Sequence, residues 1–268
     1  MEQDRRIFVM GDIHQNAAPI KSLKKTLETK GEIVDSSFVL IMLGDFGGNV
    51  FFDNRDRNFK KGLAKFGFTY FVIRGNHEER AAVAAQMNPE GWEVELFFNG
   101  FVLVEKEFPY IKYAFDGAGL YSIKGKTAIV FPGAYSVDKY FRLQHNYFWF
   151  EDEQMSEHER ILGEQLVKTT DNIEIVLSHT CPKIYQPTDL FLSSIDQSTV
   201  DDTFELYLNR MEMQIPYKLW LFGHYHAHRV YPQYEKGKQM MMLYNGKVLD
   251  LDKYFETNDP YISTIEII

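Results

Sequence analysis

A single cysteine, Cys181, stands among 268 residues, so no intrachain disulfide can form and no zinc site can be built on thiolates. One thiol suits a reducing compartment. Long apolar runs are missing as well: no stretch of 18 such residues exists, which excludes a membrane-spanning helix. The apolar run that follows Arg6 meets Asp12 too soon to serve as a secretory signal. These absences predict a cytoplasmic protein with no membrane partner. There is no Pro-, Gly- or Ser-rich linker, no repeat and no low-complexity tract, so the expectation is a single domain over residues 1–268. Positive charge is scarce too. Lys and Arg number 29 against 38 Asp and Glu, giving a net charge of −9. A protein that grips extended nucleic acid needs clustered cations, so that class of partner is disfavoured. A small phosphorylated ligand met at a metal centre is not excluded, because bound metal can outweigh an acidic surface locally.

Apolar residues make up 45% of the chain, with 22 Phe and 16 Tyr, enough for a large core. Unbroken apolar runs at Arg6–Met10, Phe38–Leu43, Thr69–Ile73, Ile173–Leu177 and Leu219–Phe222 read as strands buried on both faces, the pattern of parallel sheets covered by helices. Asn16 and Pro19 mark a helix start, with Ile20, Leu23 and Leu27 on one face. Phe101–Val104, Tyr110–Phe115, Leu120–Ile123 and Ala128–Phe131 read as a meander of short antiparallel strands. Residues 151–168 read as a helix. Phe204, Leu208 and Met211 share the face of another, with Asp202 as its predicted cap. The last 40 or so residues read as strands and turns.

One pattern recurs at the ends of the five buried runs. Each stops, usually at a glycine, and a metal-capable side chain follows: Gly11-Asp12-Ile13-His14, Gly44-Asp45, Gly75-Asn76-His77-Glu78, Ser178-His179 and Gly223-His224-Tyr225-His226. In open α/β sheets, sites form beyond the carboxyl ends of the strands, so these five ends can converge on one crevice. Carboxylate, carboxamide and imidazole together suit Mn, Fe, Zn or Co better than an all-oxygen Mg or Ca cage. Seven such ligands are too many for one ion and about right for two that share a carboxylate. Paired ions of that kind, roughly 3.5–4 Å apart, serve phosphoryl chemistry.

These five motifs, in this order from residue 11 to 226, resemble the calcineurin-like metallophosphoesterases. The segment Gly133-Ala134-Tyr135-Ser136-Val137-Asp138-Lys139, with Arg142 and Trp149, further resembles a small bacterial and phage-type branch. The resemblance implies a four-layer α/β/β/α sandwich of two mixed sheets flanked by helices. It implies two divalent ions, with Mn expected: Asp12, His14 and His226 on the first, Asn76, His179 and His224 on the second, and Asp45 bridging. His77 resembles the catalytic histidine that faces the leaving-group oxygen. The implied reaction is attack of a metal-bridging hydroxide on the phosphorus of a mono- or diester of a small molecule or nucleotide.

The departures narrow this. Protein Ser/Thr phosphatases continue the second motif to an Asp-Arg pair, whereas here it reads Asp45-Phe46-Gly47-Gly48-Asn49. Protein phosphatase and nuclease remain alternatives, disfavoured by that sequence and by net acidity respectively. A non-catalytic metal-binding scaffold is the alternative of another class, against which all eight motif positions are filled. His77 needs a different orienting partner. The candidates for gripping phosphate are Arg142, by its loop, and Arg74, by its place before Gly75. Several residues carry competing readings. Glu78 is either a partner of a ligand histidine or a helix-start carboxylate. Cys181 is read as a buried structural thiol. Asp138 and Tyr135 either line the cleft or shape a turn. Tyr147–Phe150 is either a substrate wall or packing. Arg55, Arg57, Lys60 and Lys61 read as a solvated helix face, while His145, His158 and His228 read as lying outside the metal site.

Overall fold

The computed structural model describes residues 5–191, 193, 195–233 and 237–267. Two mixed β-sheets lie face to face with helices on their outer surfaces. The first sheet has eight strands, in the order β14 (Thr264–Glu266), β13 (Lys247–Asp250), β1 (Arg6–Met10), β2 (Phe38–Leu43), β3 (Thr69–Ile73), β6 (Ile111–Ala114), β5 (Gly100–Glu105) and β4 (Trp92–Phe97). The second has six: β11 (Arg229–Val230), β12 (Gln239–Met242), β10 (Leu219–Phe222), β9 (Ile173–Ser178), β8 (Lys126–Phe131) and β7 (Gly119–Ile123). β1, β2, β3 and β6 run parallel, as do β8, β9, β10 and β12.

Strand periodicity builds the layers. Along β1 and β2, Ile7, Val9, Val39, Ile41 and Leu43 point inward to meet Ala128, Val130, Ile175, Leu177 and Leu221 of the opposite sheet. Their alternates, Phe8, Met10, Leu40 and Met42, pack outward against Ile20, Leu23 and Leu27 of α1 (Ala18–Thr29), Leu63 of α2 (Asn54–Leu63) and Ala81 and Ala84 of α3 (Ala81–Met87). On the far side, Ile129, Phe131, Val176, Trp220 and Phe222 pack against Val167 of α5 (Glu157–Thr169) and Phe204, Leu208 and Met211 of α6 (Thr203–Gln214). Both faces of the central strands are thus buried, which is why those strands are unbroken apolar runs. α4 (Lys139–Gln144) carries no buried residue.

Several local expectations need correction. The middle strands divide between the sheets, and β6 pairs parallel to β3. β4 joins β5 through Phe98 and Asn99, both at positive φ (52° and 56°), a two-residue hairpin that Asn99-Gly100 could have signalled. Residues 151–156 are not helical: α5 starts later, where Ser156 and Glu159 form a reciprocal capping box. For α6, the capping carboxylate is Asp201, which accepts from Thr203 N at 3.0 Å, and Asp202 makes no such bond. The C-terminal segment is not all strand and turn. Asp250 and Asp259 cap two short helices, α7 (Leu251–Thr257) and α8 (Pro260–Ser263).

Candidate metal centre

The five motif loops leave the carboxyl ends of β1, β2, β3, β9 and β10 and meet at one rim. Backbone hydrogen bonds tie the first loop to the second, from His14 N to Asp45 O at 2.8 Å, and the fourth to the fifth, from Gly223 N to His179 O at 2.9 Å. Two glycines are required by close approach. A Cβ on Gly44, at φ +95°, would enter the His179 ring, and one on Gly75 would strike the Asp45 carboxylate. His14, Asp45, His224 and His226 themselves sit at φ 45°, 46°, 70° and 51°. Left-handed backbone is costly for such residues, and clusters of it mark sites where side chains must be aimed.

The donor atoms fall into two sets. In the first, one ligand atom each of Asp12, His14, Asp45 and His226 lies within 4.8 Å of every other. His14 Nε2 and His226 Nε2 are 2.9 Å apart. In the second, Asn76 Oδ1 is 2.9 Å from His179 Nε2 and 3.1 Å from His224 Nδ1. Asp45 Oδ2 stands between the sets, 3.7 Å from His14 Nε2 and 3.5 Å from His179 Nε2. Donors bonded at about 2.1 Å to a shared ion lie roughly 3.0–3.4 Å apart, so these spacings fit metal ligation. His179 donates from Nδ1 to Leu43 O at 2.7 Å, so Nε2 is the nitrogen turned toward Asn76 and Asp45.

The electrostatics show what the cluster lacks. Asp12, Asp45 and His179 are buried. Burial lifts Asp12 to about 7, with Asp45 adding to it against the pull of His179. Burial alone would depress His179, yet the carboxylates of Asp45 and Asp12 outweigh it and raise the imidazole to about 9. Asp45 resists the upward push of burial because His179 and His77 hold it well below the usual carboxylate range. A single imidazolium thus faces two buried carboxyl groups, where a divalent ion would supply more charge.

Around the cluster, Glu78 takes neither of the roles its sequence position suggests. Buried, it accepts from the backbone N–H groups of Phe46, Gly47, Gly48 and Gly75 at 3.2, 2.8, 3.3 and 3.2 Å, clamping the second and third motif loops together. A chain of bonds also fixes the Asn76 carboxamide. Its Nδ2 donates to Ser136 Oγ at 2.8 Å, and Ser136 donates in turn to Glu153, which also accepts from Ser136 N and Trp149 Nε1 at 3.0 and 2.9 Å. Nothing in the sequence pattern singles out Glu153.

His77 is half-buried. Burial lowers its pKa first, and nearby Arg142 lowers it further against the opposing charge of Asp45. Its Nε2 lies 3.2 Å from Asn76 Nδ2 and 3.4 Å from Arg142 Nη2. Arg142 is itself held through Nε by Asp138 at 2.8 Å and through Nη1 by Phe148 O at 3.2 Å. Arg74 is placed differently. It is buried, donates to Glu153 O at 2.7 Å and faces Asp116, so packing takes up its guanidinium.

A cavity of about 370 Å³ opens beside Asn76, His77, His224 and His226; Tyr135 and Asp138 line it, and Tyr147–Phe150 do not. Phe148 packs edge-on to Phe51 and Trp149 lies under Lys139. Cys181 is buried, which pushes its thiol well up. Lys60 is not on a solvated face: it is buried against Glu105. His228 lies outside the metal-capable group.

Residues 5–228 match the family model of the calcineurin-like phosphoesterases. The chain belongs to that family. Among solved calcineurin-like folds, the phosphopantetheinyl hydrolase of Mycobacterium tuberculosis is 13% identical, with a TM-score of 0.50 over 100% of this chain and 97% of that one. The protein TT1561 of Thermus thermophilus is 13% identical, with a TM-score of 0.48 over 93% and 95%. At 13% identity the likeness to the hydrolase is one of fold. No curated protein matches the chain. Calcineurin-like phosphoesterases are metal-dependent, and the cluster of possible ligands found here accords with that. No described helix is long and apolar enough to cross a membrane.

Proposed function

We propose that this chain is a single-domain hydrolase of phosphate mono- or diesters working with two divalent ions, Mn²⁺ the expected species. The observation that carries the proposal is the position of Asp45 Oδ2 between two donor sets, 3.7 Å from His14 and 3.5 Å from His179. Asp12, His14 and His226 would hold one ion and Asn76, His179 and His224 the other, with Asp45 shared. Such a pair supplies an acidified water and draws charge from the phosphate oxygens.

The protein's own groups do the rest. Arg142, fixed through Nε and Nη1, turns Nη2 toward His77 and is the phosphate grip. In the free protein burial and Arg142 shift His77 toward its neutral form. A phosphate anion lodged between it and Arg142 would favour its protonated form, ready to meet the leaving oxygen. The buried Arg74 has no part in this.

The test is hydrolysis of p-nitrophenyl phosphate and bis-p-nitrophenyl phosphate with Mn²⁺, using Asp45→Asn as control. Turnover lost in the variant supports the reading, and the preferred ester assigns mono- or diesterase. Failure of both esters with Mn²⁺, Fe²⁺, Zn²⁺ and Co²⁺ would sink it and favour the scaffold.

A further inference from the structure

The cavity does not end at the histidines. Beyond His224 and Tyr225 it continues toward the segment from Lys183 to Glu205, where Leu190, Phe191, Ile195 and Val200 form an apolar wall. The ring of Phe191 lies nearly parallel to that of Tyr225, with centroids 6.3 Å apart and planes inclined by 19°. Entry of a flat ring between the two requires their faces to stand roughly 7 Å apart, twice the optimal carbon–carbon contact.

The same wall contains a carboxyl group that packing does not ask for. Glu205 lies on the buried face of α6 among Phe204, Tyr207, Leu208 and Met211, and is 3% exposed. Its Oε1 accepts from the Thr180 hydroxyl at 3.0 Å, while its Oε2 has no partner among the described residues. Thr180 Oγ1 in turn lies 3.1 Å from the Tyr225 hydroxyl, linking this group to the aromatic pair. Once ionised, a buried carboxylate oxygen without a donor costs folding free energy, and in a cavity wall it marks the place of a donor on a ligand.

We infer that this end of the cavity is a leaving-group subsite for a nucleoside, whose base enters between Phe191 and Tyr225 and which donates a hydrogen bond to Glu205 Oε2. The inference rests on the phosphoester reading of the neighbouring cluster. A sugar phosphate brings donors without a flat ring, and a simple aryl ester a ring without a donor; a nucleotide brings both. The donor is a base N–H or a ribose hydroxyl, which the test separates.

The experiment compares kcat/KM for the four nucleoside monophosphates and their 2′-deoxy forms with that for p-nitrophenyl phosphate. Nucleoside 2′,3′-cyclic phosphates are set against bis-p-nitrophenyl phosphate in the same way. Wild type, Glu205→Gln and Phe191→Leu are assayed with Mn²⁺, and calorimetry measures binding of free nucleosides to the metal-free proteins. Nucleotides should be preferred at least tenfold, and that ratio should collapse in both variants. Sensitivity to the 2′-hydroxyl assigns the donor to ribose; sensitivity to the base assigns it to the base. Aryl esters cleaved as well as nucleotides, or a ratio unmoved by Glu205→Gln, would overturn the subsite and leave the phosphoesterase standing. If no ester is cleaved, the phosphoester reading falls and calorimetry decides: nucleoside binding lost in Glu205→Gln keeps the subsite, and no binding by wild type ends it.

Discussion

The orientation of one amide decides whether the second set of donors can hold an ion. Asn76 offers Oδ1 to His179 and His224 because its Nδ2 is latched to Ser136 Oγ, 2.8 Å away, and Ser136 is latched to buried Glu153. Ser136→Ala removes the acceptor. The amide then leaves a buried donor unpaired, at about 1–3 kcal/mol, or rotates and presents Nδ2, which cannot ligate, to the histidines. Either way the second site loses affinity. Loss of a group that holds a metal ligand in place typically weakens binding about 10–100-fold, or about 1.4–2.8 kcal/mol, which agrees with that cost. The first set shares no bond with Ser136. Titrating Mn²⁺ into metal-free protein by calorimetry should therefore show two classes of site in wild type. In Ser136→Ala one should be weakened by one to two orders of magnitude and the other held within about twofold. Glu153→Gln should move the same site less, since its amide can still accept from Ser136. Equal weakening of both sites, or of neither, would refute the latch.

Three further outcomes follow from the same geometry. Glu78→Ala strips the acceptor from four backbone N–H groups in two loops, so urea unfolding should show a loss of about 3 kcal/mol or more, and Mn²⁺ affinity should fall with it. Metal binding at pH 8 should release a proton, because His179 is held protonated up to about 9 and must be neutral to ligate. Calorimetric heats should then depend on buffer ionisation enthalpy at pH 8 and cease to do so above about pH 10, and no buffer dependence at pH 8 would count against a protonated His179. Glu205 is raised by burial from 4.5 to about 7, so the folded state favours its neutral form. That advantage is complete below pH 4.5 and disappears as pH rises through 7, a change of about 3 kcal/mol. Glu205→Gln should flatten the stability profile between pH 5 and 8 by that amount, and identical profiles would refute it.

How much of this is legible in the sequence depends on the range of the interaction. The sheets are readable because burial on both faces leaves an unbroken apolar run, and Phe38–Leu43 could hardly be anything else. The metal-capable residues are readable because each follows its strand directly, so strand order alone brings them to one rim. What escapes is whatever depends on contacts far apart in the chain. The helical composition of residues 151–168 draws Glu153 into a helix. Its bonds to Ser136 and Trp149 fix it instead in the irregular segment that precedes α5. Glu78 offers two local readings and takes a third, because three of its four partners come from a loop at least 30 residues earlier. In sequence Arg142 is the candidate for the phosphate by its loop, and Arg74 a weaker one by its place before Gly75. Burial beside Asp116 commits one to packing, and Asp138 aims the other at His77. The branch-like segment from Gly133 to Trp149 is only a string of letters until Ser136, Asp138, Arg142 and Trp149 are each seen to hold, directly or through one or two partners, Asn76 or His77. Should Arg142 grip phosphate as proposed, Asp138, bonded to its Nε, is the carboxylate that aims it, both supplied by this loop and not by the one after Asp45.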